Sequence, residues 1–133
     1  MLIAGFGCRR GCAFEALLAL LEHALAGRPL SAVRGLASLE RKLAEPGLRQ
    51  LAEHLGVPLA GYSAEQLAPY AGQLSHRSAL SLAHTGCAGV AESAALAHCQ
   101  YLTGQPPTLS IPRLAGPAAT VALAEPLLRE THS

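Results

Sequence analysis

A glycine-rich turn carrying two adjacent arginines, Gly5-Phe6-Gly7-Cys8-Arg9-Arg10-Gly11-Cys12, constrains this chain more than any other stretch. A short apolar run, Met1 to Ala4, precedes it, and an apolar helix candidate, Ala13 to Ala26, follows. Strand, glycine turn and helix in that order make an anion site. The helix start presents unpaired backbone N–H groups and a partial positive charge. The glycines let the backbone approach a ligand, and the arginine forks fit carboxylate or phosphate. The same residues also fit an ordinary βα turn with solvated arginines, and local chemistry alone leaves both readings open.

Composition narrows the choice. The chain has 133 residues, a size for one domain spanning 1–133. Half are hydrophobic and 14% are charged, enough for an aliphatic core and too apolar for disorder. The formal net charge of +1 gives no basic field for nucleic acid, so any anion must be caught locally. Every acid is Glu, which excludes Asp-built calcium and magnesium loops. No apolar run spans a bilayer and no signal peptide is evident, so a cytoplasmic protein without membrane contact is expected. Cys8, Cys12, Cys87 and Cys99 lack zinc-ligand spacing and are expected to be reduced thiols, with no bound metal and no cofactor.

Periodicity and punctuation order the rest. Strands are expected at Leu2–Phe6, Gly35–Leu39, Val57–Tyr62, Thr108–Pro112 and Thr120–Ala124. Helices are expected at Ala13–Ala26, closed by Gly27 and Pro29, from Pro46 to Leu55, from Ala64 to Ala71 behind a Ser63–Gln66 capping box, and from Val90 to Tyr101. The first helix is apolar nearly all round and should be mostly covered by other elements or by a partner. Ala79–Ala83 could be helical, and Arg113–Pro117 forms a hairpin or a loop. The tail from Pro126 should fray. The fold expected is an α/β sandwich of two or three layers, a mostly parallel sheet with an antiparallel edge pair and helices packed on it.

Ligands of such sheets bind beyond the C-terminal strand ends. Gly7 to Cys12, Glu40 to Glu45, Tyr62-Ser63 and Gly86 to Glu92 fall there. Cys8 reads either as a low-pKa thiolate beside two arginines or as a thiol packing the turn. Cys12 takes the position of an N-cap. Lys42 and Glu45 contact a ligand or form a solvated pair. Glu92, in an apolar helix, needs a partner and either serves the site or ties down the Gly86 loop. His23, His54 and His98 are expected to face solvent; His76 and His84 are looser candidates. Nucleophile-elbow and P-loop motifs are absent, and Gly5, Gly7 and Gly11 miss the dinucleotide spacing.

Several blocks together carry a resemblance. The opening Gly5-Phe6-Gly7-Cys8-Arg9-Arg10-Gly11 resembles the start of the CobE family, which is similar to the C-terminal domain of CbiG in cobalamin (vitamin B12) biosynthesis. Ser38 to Lys42 with Glu45-Pro46-Gly47-Leu48, Tyr62 to Leu67, Gly89 to Leu96, Leu109 to Arg113 and Thr120 to Ala124 resemble its later blocks, in order. The chain departs from the family at Cys12, where Thr or Ser is usual, at Arg113, where Lys is common, and at Pro117-Ala118, where the connection is richer in glycine. The resemblance implies binding of a corrin or precorrin intermediate through its carboxylates, at Gly7, Cys8, Arg9, Arg10, Gly11, Cys12, Lys42, Glu45, Glu92 and Arg113. It leaves two alternatives. One is a hydrolase acting on a lactone-bearing precorrin, with Glu92 or Cys8 as base or nucleophile. The other is a docking partner of another cobalamin-pathway enzyme.

Overall fold

The structure, a computed structural model, describes residues 1–75 and 77–127. Its strands are β1 (Leu2–Cys8), β2 (Val33–Leu39), β3 (Leu59–Tyr62), β4 (Pro107–Ala115) and β5 (Ala119–Pro126). Its helices are α1 (Phe14–Leu25), α2 (Pro46–Leu55), α3 (Ala64–Leu67), α4 (Ala79–Thr85) and α5 (Val90–Thr103). The strands form one sheet in the order β3-β2-β1-β5-β4. β3, β2 and β1 are parallel, and β5 is antiparallel to both its neighbours. Four strands therefore share one direction, and β5 alone opposes them. The fold is the expected α/β sandwich, with β4 and β5 as the antiparallel edge pair.

Strand alternation assigns the layers. Leu2, Ala4 and Phe6 of β1 join Leu17, Leu21 and Leu25 of α1 and Leu48 and Leu51 of α2 in one core. Ile3 points the other way, to Ala95, Leu96 and Cys99 of α5. The sandwich thus has three layers: α1 with α2, the sheet, and α5. Each leucine buried in the first core contributes about 1.5–3 kcal/mol.

The α5 face follows a different rule. A Cβ on Gly5 would lie 2.0 Å from the Ala91 carbonyl oxygen and 2.5 Å from the Ala95 nitrogen. Only glycine in β1, opposite alanines in α5, lets the helix lie on the strand backbone. Residues Val90 to Cys99 are all buried, so α5 is the enclosed helix. Within this chain the first helix, α1, buries only Leu17, Leu21, Ala24 and Leu25, while Glu15, Ala16, Ala19, Glu22 and His23 turn outward.

Other differences have local causes. β3 starts at Leu59 because the Val57 N–H is engaged at the end of α2, donating to the Ala52 carbonyl at 3.1 Å. The capping box forms: Ser63 Oγ accepts from the Gln66 N–H at 3.1 Å, and Gln66 Oε1 from the Ser63 N–H at 2.8 Å. The helix it opens tightens at Ala68 into a 3₁₀ segment reaching Gln73, where Pro69 cannot donate. β4 absorbs Pro112 and Arg113, which were expected at a strand end and in a connection. Register shifts on either side of Ile111, on an edge strand, relieve Pro112 of a ladder bond. His98, expected to face solvent, is buried, with Nδ1 2.8 Å from the Tyr62 hydroxyl. Burial lowers its pKa, which favours the neutral ring. Gly35 leaves room for its ring. The tail expected to fray falls from 128 on, outside the described residues, while β5 runs through Pro126.

Candidate functional site

At the C-terminal ends of β1 and β2 the sheet opens into a cleft of about 400 Å³. β1 delivers Gly7 and Cys8 to it, and the following turn delivers Arg9. The 3₁₀ segment Glu40–Ala44 delivers Lys42, and β4 delivers Arg113. The hairpin turn from Gly116 to Ala118 closes one side, tied to the β1 turn by the Arg9 N–H donating to the Ala118 carbonyl at 3.0 Å. Ser78, Leu80, Ser81, His84 and Thr85 of the α4 segment form the opposite wall. The start of α5, Gly89 to Ala91, opens on the cleft as well. The cleft lies outside the C-terminal ends of β1 and β2, the usual place for a ligand in an open α/β sheet, next to the boundary where β5 runs antiparallel to β1.

The electrostatics are one-sided. Arg9, Lys42 and Arg113 line the cleft, and no carboxylate among the described residues does. Gly89 is the N-cap of α5 and brings no side chain, so the first N–H groups of the helix keep their donors without a side-chain cap. The Arg113 Nε is buried and makes no hydrogen bond. Leu80, 69% exposed, adds an apolar patch at the mouth.

The remaining residues singled out from the sequence do other work. Arg10 is exposed and does not line the cleft. Gly11 is held by Glu45, whose Oε1 accepts from the Gly11 N–H at 2.8 Å. Glu45 is the N-cap residue of α2 and latches the turn, instead of pairing with Lys42 in solvent. Cys12 is buried one residue before the true N-cap, Ala13. No residue of α1 lines the cleft, because α2 packs against its start: a Cβ on Gly47 would lie 2.2 Å from the Cys12 carbonyl oxygen. The helix that serves the cleft is α5.

Glu92 is 1% exposed, does not line the cleft, and acts as a strut. Its carboxylate accepts from the Arg113 N–H at 2.8 Å, from the Ser75 N–H at 2.8 Å and from the Ser75 hydroxyl. It fixes β4 and the approach to α4, the two walls of the cleft. Cys8 does not carry a depressed pKa. Burial pushes its thiol up to about 11, with the charge of Lys42 only partly opposing. A thiol at that value is not a nucleophile near neutral pH. The hydroxyls of the α4 wall are engaged too: Ser81 Oγ donates to the Cys87 carbonyl at 2.8 Å and Thr85 Oγ1 to the Ser81 carbonyl at 2.7 Å. The lining therefore offers positive charge and helix N–H donors. All four cysteines are free thiols, and among the described residues no group of His, Cys and Glu is placed to hold a metal ion. Among them, too, no helix is long and apolar enough to cross a membrane.

The α4 wall is what sequence reasoning missed. The Gly86 to Gly89 turn was visible as a motif, but nothing local brings Ser78 to Thr85 across from Arg9. That pairing depends on α5 lying on β1.

A profile described as "Cobalamin synthesis G C-terminus" matches residues 2–124. The chain is similar to Protein CobE of a Sinorhizobium species, 38% identical over 127 residues that cover 94% of this chain and 80% of that protein. It is 40% identical over 67 residues to the cobalt-precorrin-5A hydrolase of Salmonella typhimurium, covering 49% of this chain and 19% of the hydrolase. Among solved structures, that of CobE, a protein from the cobalamin (vitamin B12) biosynthetic pathway, superposes with a TM-score of 0.91 at 45% identity, covering 96% of this chain and 91% of that one. The cobalamin biosynthesis protein chiG of Agrobacterium tumefaciens matches with a TM-score of 0.65 at 31% identity, over 95% of this chain and 98% of that one.

Proposed function

The chain belongs to the cobalamin synthesis G C-terminus family, and from that premise we propose that it binds a polycarboxylated corrin or precorrin intermediate in the cleft between β1, α4 and β4. One observation carries the reading: in a chain of net charge +1, Arg9, Lys42 and Arg113 gather at one cleft that no carboxylate among the described residues lines. Three cations and a helix start without a side-chain cap favour a multiply charged anion, and the acetate and propionate arms of a corrin rim supply one. At about 400 Å³ the cleft sits at the small end of ligand pockets, roughly 300–1,000 Å³. It takes the carboxylate rim of a macrocycle and leaves the ring face against Leu80 and solvent.

Titration of hydrogenobyrinic acid with the protein, followed by visible absorbance, tests this. The spectrum should shift and saturate. The double variant Arg9→Ala with Lys42→Ala should weaken binding by tenfold or more, on the order of one charge-assisted contact, and Arg10→Ala should bind as wild type does. A double variant of unchanged affinity would place the ligand elsewhere. The hydrolytic alternative takes support from the 67-residue match to a hydrolase, of which that match covers 19%. Release of acetaldehyde from a lactone-bearing precorrin would carry it, and the engaged Glu92 and the protonated Cys8 count against it.

A further inference from the structure

Strand β1 parts from β2 before it parts from β5. Its register with β2 ends at Gly5↔Ala37, while its register with β5 runs on to Cys8↔Ala119. The cleft opens in that fork. Gly7 and Cys8 line it from the β1 arm, Leu39 lines it from the β2 arm, and Arg9 and Lys42 follow on the two arms. One side chain sits at the branch point. Ser38 is buried, and its hydroxyl donates to the Phe6 carbonyl at 2.7 Å. The next rung of a parallel ladder would pair Phe6 with Ser38 and give the Phe6 carbonyl the Leu39 N–H. The hydroxyl takes that place. A buried carbonyl needs a donor, and this one is satisfied without closing the fork.

We propose that Ser38 is a positioning residue of the cleft: its hydroxyl stops the β1–β2 ladder at Gly5↔Ala37 and so sets the separation of the arms that carry Arg9 and Lys42. For its ligand the inference rests on the corrinoid-binding reading above; for its geometry it rests on the fork alone. Ser38 does not line the cleft, so it acts through the strands it joins. Without the hydroxyl, the Phe6 carbonyl regains a donor by taking the Leu39 N–H. That extra rung draws Leu39 to the ladder spacing of about 4.8 Å from β1. The floor between Gly7 and Leu39 then closes, and the two cationic arms move together.

The experiment compares wild type, Ser38→Ala and Ser38→Thr by three measurements. These are absorbance titration with hydrogenobyrinic acid, urea unfolding, and the reaction of the folded protein with 4,4′-dithiodipyridine. Of the four cysteines only Cys8 is not buried, so its thiol supplies the fast phase of that reaction. Ser38→Ala should weaken binding on the order of tenfold, the size of one misplaced charge-assisted contact. It should also slow the Cys8 phase severalfold, because the closing fork covers the thiol. Lost stability alone would do the reverse and speed thiol reaction through local opening. Ser38→Thr keeps the hydroxyl and should return affinity and thiol rate to wild type. It decides the matter by itself should the alanine variant not fold. A Ser38→Ala protein whose Cys8 reacts as fast as wild type or faster overturns the proposal, and so does a threonine variant that binds as weakly as alanine. If wild type binds no hydrogenobyrinic acid, the corrinoid reading fails on its own, and the thiol rates still decide whether Ser38 holds the fork.

Discussion

Two helices of this protein begin beside glycine-rich turns, and their starts are built differently. The start of α1 faces protein. Glu45 reaches from α2 to hold the Gly11 N–H at 2.8 Å, and α2 presses on the Cys12 carbonyl. The start of α5 opens on the cleft with a bare glycine cap, while Glu92 turns inward to hold the two cleft walls. The arginine pair divides accordingly, Arg9 toward the cleft and Arg10 toward solvent. A turn that reads as an anion site thus lends its residues to one without lending its helix. The helix comes from about eighty residues further along the chain, and it arrives there through packing.

That packing is the place to break the comparison most completely. Gly5→Ala would set a methyl group 2.0 Å from the Ala91 oxygen, an approach that real structures do not tolerate. Either α5 lifts from β1 or the strand bends. Overpacking of this kind sits at the top of its range, about 3 kcal/mol or more, and urea unfolding should show it as a lower midpoint. Corrinoid binding should fall with it, because the α5 start and the α4 wall move together. Near-wild-type stability would mean that α5 is not seated as described.

The next largest effect belongs to Glu92. Glu92→Ala leaves the Ser75 N–H, the Ser75 hydroxyl and the Arg113 N–H without this acceptor, a loss of about 2–3 kcal/mol. Glu92→Gln keeps an acceptor and should cost less. Both should weaken ligand binding beyond their effect on folding, because they release the walls. If Glu92→Ala unfolds more easily but binds with wild-type affinity, the carboxylate is only a core strut.

What the sequence disclosed was local. The strand before Gly7, the Ser63–Gln66 box and Pro46 at the first turn of α2 each announce themselves within a few residues. The cleft residues Gly7, Cys8, Arg9 and Lys42 were within reach because each ends or follows a strand at the same rim, while Arg113, inside β4, was reached only through the family resemblance. The misjudged positions depend on contacts between distant segments. His98 sits on a helix with no local sign of burial, and only the space left by Gly35 admits its ring. Glu45 reads as a surface acid until the Gly11 turn, 34 residues earlier, is placed beside it. The α4 wall is positioned by its own loop, through the Ser78 N–H donating to the Ala88 carbonyl at 2.9 Å, and by where α5 lies.

Glu45 then supplies the smallest and most discriminating effect. Glu45→Ala removes the acceptor of the Gly11 N–H, at a site partly open to water that can replace it. The cost should be about 1 kcal/mol, read as a small drop in the unfolding midpoint. Binding should be unchanged, since Glu45 does not line the cleft and the start of α1 faces α2. If corrinoid affinity instead rises, removal of a nearby negative charge has helped the anion, and the cleft potential extends past Cys8 to the Gly11 turn. If affinity falls severalfold while folding is intact, the α1 start takes part in holding the ligand after all. Arg9 would then act together with the turn that carries it, and the distinction between the two helix starts would be one of degree.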